Sequence, residues 1–262
     1  MIQSRDYLLE QLYTVPVFRA LLRSIEARMI ASIKFSRPIL DLGCGDGQFA
    51  QMAFTEPLDV GIDPMPLAIA EARTRGMHRD LRVMDSNQMS FADGMFGSVL
   101  SNSVLEHIPD IDATLRETYR VLKPGGLFVF TTPNQHYAEY MFFSAVFNKL
   151  GLPGLAKRYG DHFNRIAHHY RTDSKQVWTE RLEQYGFSVG KCTTYFSRQA
   201  SHVFDLAHYY SSPTILYKKM VGRWVIAPWR VNFILVEPLL RRYYNEPLCD
   251  DGASLLFECE RK

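Results

Sequence analysis

Asp41-Leu42-Gly43-Cys44-Gly45-Asp46-Gly47 is the densest chemical signal in the chain. Glycines at alternate positions let the backbone turn sharply and approach a ligand where a side chain would collide. Two more acids fall into step with this loop. Asp63, twenty-two residues after Asp41, closes a second apolar run, where a carboxylate can accept both hydroxyls of a ribose. Asp85 closes a third run and can take the exocyclic amine of a base. Taken singly, each Asp could instead cap the helix or turn that follows it. Together with the glycine loop they read as one ligand site on one edge of a parallel sheet.

The loop also discriminates between nucleotide ligands. A dinucleotide fold uses GxGxxG, whose backbone N–H groups receive a pyrophosphate. Here the spacing is GxGxG and an acid precedes it, which repels phosphate and favours an ammonium group. No GxxxxGK[ST] stretch is present, which excludes P-loop chemistry. S-adenosylmethionine, a nucleoside bearing an amino acid in place of phosphates, fits this pattern.

The elements around these residues predict an α/β chain. Ile39–Leu42, Leu58–Asp63, Leu81–Asp85, Phe96–Asn102 and Leu127–Thr132 read as strands. Helical patterns separate them, at 48 onward, Pro66–Arg75 and Ile111–Leu122, the last stopped by Lys123-Pro124-Gly125-Gly126. This alternation predicts a doubly wound parallel sheet. Residues 1–37 read as helical, interrupted at Pro16. After residue 133 the rhythm loosens, then a helix over Asp173–Tyr185, a strand over Phe187–Thr193 and a last strand over Ser254–Glu260 bring the total to seven strands.

Composition sets the outer limits. The 262 residues are 47% hydrophobic, 22% charged and 13% aromatic, which excludes a disordered chain and a disulfide scaffold. A net charge of +2 argues against a protein held to nucleic acid by its overall field. No apolar run reaches the roughly 18 residues of a membrane span, and Met1–Tyr13 does not read as a signal peptide. The four cysteines form no CxxC pair, so reduced thiols in a cytoplasmic protein are expected.

The chain resembles the class I S-adenosylmethionine-dependent methyltransferases. Asp41–Phe49, Asp63, Asp85, Phe91–Asn102, Leu105-Glu106-His107 and Glu117–Asn134 carry the resemblance. It is tight over residues 38–134 and looser over 173–193. It implies a Rossmann-like seven-stranded sheet with the last strand antiparallel and S-adenosylmethionine as methyl donor. By the same resemblance, Asp41, Gly43, Cys44 and Gly45 line the methionine portion, and Asp63, with Pro64 beside it, holds the ribose. Asp85 and Ser86 meet the adenine, while Asn102 and Ser103 pass beneath the sulfonium. One departure is Gly97, where the family usually has Asp.

The remaining segments are expected to shape the substrate side of a single domain. Helical caps are assigned to residues 1–37, 134–171 and 194–252, the last two being insertions rich in aromatic residues. They suggest a small, apolar or lipid-like acceptor, methylated on oxygen or carbon. His169 and His168 lie where relatives carry a stretch facing the active site, and are the candidate substrate contacts or base. No converging set of metal ligands is visible. Residues 216–242 interleave six basic side chains with Trp and Tyr, which suits an anionic membrane surface or a solvated basic helix. A tRNA or other macromolecular methyltransferase, and a cofactor-binding module without transfer activity, are the alternatives.

Overall fold

A computed structural model describes residues 5–222 and 233–262. Its strands are β1 (Ile39–Leu42), β2 (Leu58–Asp63), β3 (His78–Val83), β4 (Phe96–Asn102), β5 (Leu122–Pro133), β6 (Phe187–Ser197) and β7 (Gly252–Arg261). They form one seven-stranded sheet in the order β3-β2-β1-β4-β5-β7-β6. β1 to β5 pair in parallel, and β7 runs antiparallel to both β5 and β6. This is the doubly wound, methyltransferase-type sheet that the alternation of patterns and the resemblance predict. The strand order reverses between β1 and β4, so a crevice opens beyond their carboxyl ends.

Side chains alternate between the two faces, as a pleated strand requires. Leu100, Val129 and Leu256 join one buried cluster. Their neighbours Val99, Phe128, Phe130 and Phe257 join the other. On the first face lie α1 (Tyr7–Leu12), α2 (Val17–Ile30), α9 (Arg198–Val221) and α10 (Val236–Tyr244). On the second, α5 (Ile111–Val121) and α8 (Lys175–Gln184) contribute Leu115, Trp178 and Leu182. The aromatics of the second insertion therefore divide. Phe196, Phe204, Phe233 and Tyr244 are core, whereas Tyr209 and Tyr210 are exposed.

Several boundaries differ from the sequence reading. β3 starts at His78 and ends at Val83, so Asp85 sits in the following turn. The cause is Gly76, whose left-handed φ of 66° ends α4 (Pro66–Arg75) and turns the chain directly into the strand. β5 begins at Leu122, which pairs with Phe96, so Lys123-Pro124-Gly125-Gly126 enters the strand after stopping the helix. Residues 134–171 hold two helices, α6 (Phe142–Lys149) and α7 (Pro153–Ile166). The Gly/Pro stretch between them is a tight joint: Gly151 is left-handed and Pro153 starts α7. Pro16 splits the N-terminal segment into α1 and α2.

Gly97 receives a physical reason for departing from the family pattern. A Cβ there would lie 2.6 Å from the Ser36 carbonyl oxygen and 2.8 Å from that of Arg37. The segment leading into β1 crosses β4 at this point, tied by Ser36 N–H to Ser98 Oγ at 2.9 Å. Gly97→Asp is therefore expected to destabilise the chain by roughly 2 kcal/mol. Urea unfolding checks this as a lower midpoint with an unchanged slope.

Candidate active site

A cavity of about 610 Å³ occupies the crevice beyond β1, β2 and β4. Gly43, Cys44, Gly45, Asp63, Pro64, Asp85, Ser86, Asn102, Ser103 and His168 all line it. Among the site residues expected from sequence, Asp41 and His169 are not in its wall. Asp41 is 4% exposed and accepts a 2.8 Å hydrogen bond from His78 Nε2 on β3. Asp41 thus sits behind the described cavity wall, tied to β3 through His78.

The loop conformation depends on its glycines at two places. Gly43 has φ 77°, and a Cβ there would fall 2.4 Å from Val104 Cγ1. Gly45 has φ 54° and no atom within 4 Å of the place a Cβ would occupy, so its backbone stands open to the cavity. Gly45 N–H donates to Asp63 Oδ2 at 3.0 Å, and Met65 N–H donates to Asp63 Oδ1 at 2.9 Å. Burial, with Asp41 nearby, pushes the Asp63 carboxyl above the usual carboxylate range. Asp85 is exposed and accepts from Asn87 N–H at 2.9 Å, while the Ser86 and Thr114 hydroxyls lie 3.0 Å apart. The Cys44 thiol is pushed far up by burial and by Asp41, so it is no nucleophile.

Beneath the end of β4 sits a buried anion. The Glu26 side chain, on α2, is 1% exposed. Glu26 Oε2 accepts from Arg23 Nη1 at 2.8 Å and from Asn102 Nδ2 at 3.0 Å. Glu26 Oε1 accepts from Ser103 Oγ at 3.0 Å and from the Tyr195 hydroxyl at 2.9 Å. Ser103 and His168 have left-handed φ of 51° and 56°, and both line the cavity. Non-glycine residues hold such angles only where their surroundings fix them.

The sequence reading assigned residues 1–37 as a cap but named none of their side chains for the site. Gln11, Arg19 and Arg23 line the cavity. Arg19 and Arg23 stand four residues apart on α2, hence on one face. That spacing, in a helix whose other face is apolar, was the available signal. Burial lowers Arg19 to about 10, which leaves it charged at neutral pH. From the first insertion come Ala167 and His168; among the described residues, 194–252 supplies no lining residue. Phe49 is the one phenylalanine, tyrosine or tryptophan ring in the described wall; Trp224 and Trp229 of the second insertion lie outside the described residues.

Residues 40–130 match the methyltransferase domain family. That stretch is about a third of the chain. Relatives include the ubiquinone biosynthesis O-methyltransferase of Pseudomonas aeruginosa PAO1, 30% identical over 112 residues. That alignment covers 40% of this chain and 48% of that protein. The ubiquinone/menaquinone biosynthesis C-methyltransferase of Desulfotalea psychrophila is 34% identical over 126 residues, 45% of this chain and 51% of that one. The matches thus span about half the length of these curated relatives. In fold, the chain resembles a SAM-dependent methyltransferase of Thermotoga maritima, with TM-score 0.61 and 16% identity over 94% of this chain and 92% of that one. It also resembles geranyl diphosphate C-methyltransferase from Streptomyces coelicolor, with TM-score 0.57 and 15% identity over 94% and 84%.

Beside the cavity the structure gathers histidines. The loop at 105–109 and the segment at 168–171 are clasped by hydrogen bonds from Arg171 Nη1 to the Leu105 and Ile108 carbonyls and from Nη2 to that of Pro109. Tyr170 N–H donates to Glu106 O at 2.8 Å. This brings His169 within 5.3 Å of His107, ring centre to ring centre. Burial lowers His169 to about 4 and also lowers His107. A base works best with a pKa near the working pH, and burial moves His169 below that range. The same clasp places Glu106, His107 and His169 with ligating atoms within 4.8 Å of one another. The sequence showed no such set because His107 and His169 are sixty-two residues apart and meet only in the fold.

Removing the Glu26 carboxylate leaves Arg23, Asn102, Ser103 and Tyr195 without their shared partner. Glu26→Ala is expected to cost about 3–5 kcal/mol. Glu26→Gln, which keeps one acceptor oxygen, should cost less. Chemical denaturation of both variants checks the order.

Proposed function

We propose that this chain is an S-adenosylmethionine-dependent methyltransferase that methylates oxygen or carbon of a small, apolar or lipid-like acceptor. The observation that carries the reading is Gly45, open to the cavity and bonded through its N–H to Asp63. A backbone bared at that point, next to a carboxylate with lone pairs to spare, suits a ribose flanked by an amino acid chain.

The bound cofactor supplies a methyl group on a sulfonium, open to in-line displacement. The protein's part is to bind, orient and exclude water. Asp63 takes the ribose hydroxyls, with Pro64 beside it, and Asp85 takes the adenine amine with Ser86 alongside. Gly43, Cys44 and Gly45 run along the methionine portion, with Asp41 beneath them. Arg23 gives one N–H to Glu26 and keeps others for the ligand carboxylate. Asn102 and Ser103 lie under the sulfur, held in place by Glu26. Phe49, Met52, Val104 and Ile108 supply apolar wall. His168, at the rim, contacts the acceptor. The names of the two curated relatives, both from quinone biosynthesis, support an apolar acceptor.

We assign peripheral contact with an anionic membrane to 216–242. Residues 223–232 of that segment lie outside the described residues. Met220, Val221, Ile234, Leu235 and Leu239, on either side of them, are exposed. Apolar side chains bordered by the exposed Arg242 suit the headgroup region. Among the described residues no helix is long and apolar enough to cross a membrane.

Calorimetry with S-adenosylmethionine is expected to show one site, with Asp63→Ala weakening it on the order of 10–100-fold. Protonation turns an Asp63 acceptor into a donor, so affinity should fall as pH drops. Because the Asp63 carboxyl is raised, that fall should begin at higher pH than an ordinary aspartate gives. Absence of binding, or binding indifferent to Asp63, contradicts the reading. In liposome flotation the chain should rise with anionic vesicles and not with neutral ones; a chain left at the bottom with both removes the membrane assignment.

A further inference from the structure

Glu106, His107 and His169 form a cluster that cofactor binding does not use, although His107 lies on the cavity wall. Glu106 is buried, and its Oε2 has no hydrogen-bond partner. Its other oxygen lies 3.9 Å from His107 Nε2. A buried carboxylate oxygen with an open lone pair normally has a proton donor or a cation beside it.

The two imidazoles are arranged as cation ligands are. His107 Nδ1–H donates to the His168 carbonyl at 3.2 Å, and His169 Nδ1–H donates to Asn164 Oδ1 at 3.2 Å. Each ring is thereby fixed in the tautomer that leaves Nε2 with a free lone pair. Oxygen partners behind both rings are the usual outer support of metal-bound histidine. Three donors around one ion at about 2.0–2.2 Å would sit roughly 3.3 Å apart. The present set lies within 4.8 Å, so side-chain rotation would have to draw the three donors closer around an ion.

We propose that Glu106, His107 and His169 bind one divalent transition-metal ion at the edge of the cofactor cavity. Two nitrogens and one carboxylate favour zinc, manganese, iron or cobalt over magnesium or calcium, which prefer all-oxygen sets. Three protein ligands would leave positions open, and His107, one of the three, lines the cavity. There the ion can hold an acceptor hydroxyl and lower its pKa, the proton leaving to water. This use of the ion rests on the methyltransferase reading; the binding site does not.

The test uses tag-free, chelator-treated full-length protein titrated with cobalt(II) alone. One equivalent is expected to give d–d absorption bands, displaced by zinc and unaffected by millimolar magnesium. Glu106→Gln and His169→Ala should each weaken cobalt binding by at least about tenfold. Both variants should keep wild-type circular dichroism and S-adenosylhomocysteine affinity, which separates ligand loss from unfolding. A wild-type protein that binds S-adenosylhomocysteine yet gives no cobalt bands overturns the proposal and leaves methyl transfer standing. Cobalt bands in a protein that binds no S-adenosylhomocysteine keep the ion site and remove the methyltransferase reading. Should the variants misfold, the wild-type protein still decides: cobalt should shield His107 and His169 from carbethoxylation, and cobalt bands with both histidines still reactive overturn the proposal.

Discussion

The Glu26 carboxylate is a negative charge almost fully removed from water, and the geometry of the site follows from how it is neutralised. Four groups from three parts of the chain donate to it: Arg23 on its own helix, Asn102 and Ser103 at the end of β4, and Tyr195 on β6. A buried charge is tolerable only when its acceptor capacity is filled, so none of the four can move independently. The arrangement fixes the N-terminal helix against the sheet and turns Arg23 into the cavity. It also holds Ser103 at a left-handed angle that a serine rarely adopts.

The opposite wall rests on a different constraint, the space around glycine. Gly43 lies against Val104, Gly45 faces the cavity, and Asp63 ties the loop to the end of β2. Between these walls one side is rich in guanidinium and the other in carboxylate, which is the polarity an amino acid attached to a nucleoside requires. The two faces of the sheet share the work unequally. The face covered by α5 and α8 is a plain apolar core. The face covered by α1, α2, α9 and α10 combines core with the groups that enter the site.

The sheet and the cofactor loop were legible because their signals are local. Glycines at alternate positions, an Asp near the end of each of three strands and the Lys-Pro-Gly-Gly stop each depend on a few adjacent residues. What depends on long-range pairing was not. Asp41 reads as a ligand contact, and its hydrogen bond to His78, thirty-seven residues on, is visible only in the fold. Glu26 sits in an ordinary helix, and its partners at 102, 103 and 195 come together only in the fold. Likewise His169 reads as a lone base candidate, while the Arg171 clasp sets it beside Glu106 and His107. The abundance of aromatics in the second insertion suggested a substrate tunnel; in the described residues it divides between core and surface. Aromatic content records burial demand as readily as ligand chemistry.

The central claim is that the crevice between the glycine loop and the Glu26-supported end of β4 holds S-adenosylmethionine. A crystal structure with S-adenosylhomocysteine tests this most directly. The account places the ribose on Asp63, the adenine beside Asp85 and Ser86, and the amino acid carboxylate toward Arg23, with the sulfur above Asn102 and Ser103. A ligand bound elsewhere, or lying in this crevice with its ribose away from Asp63, would contradict it.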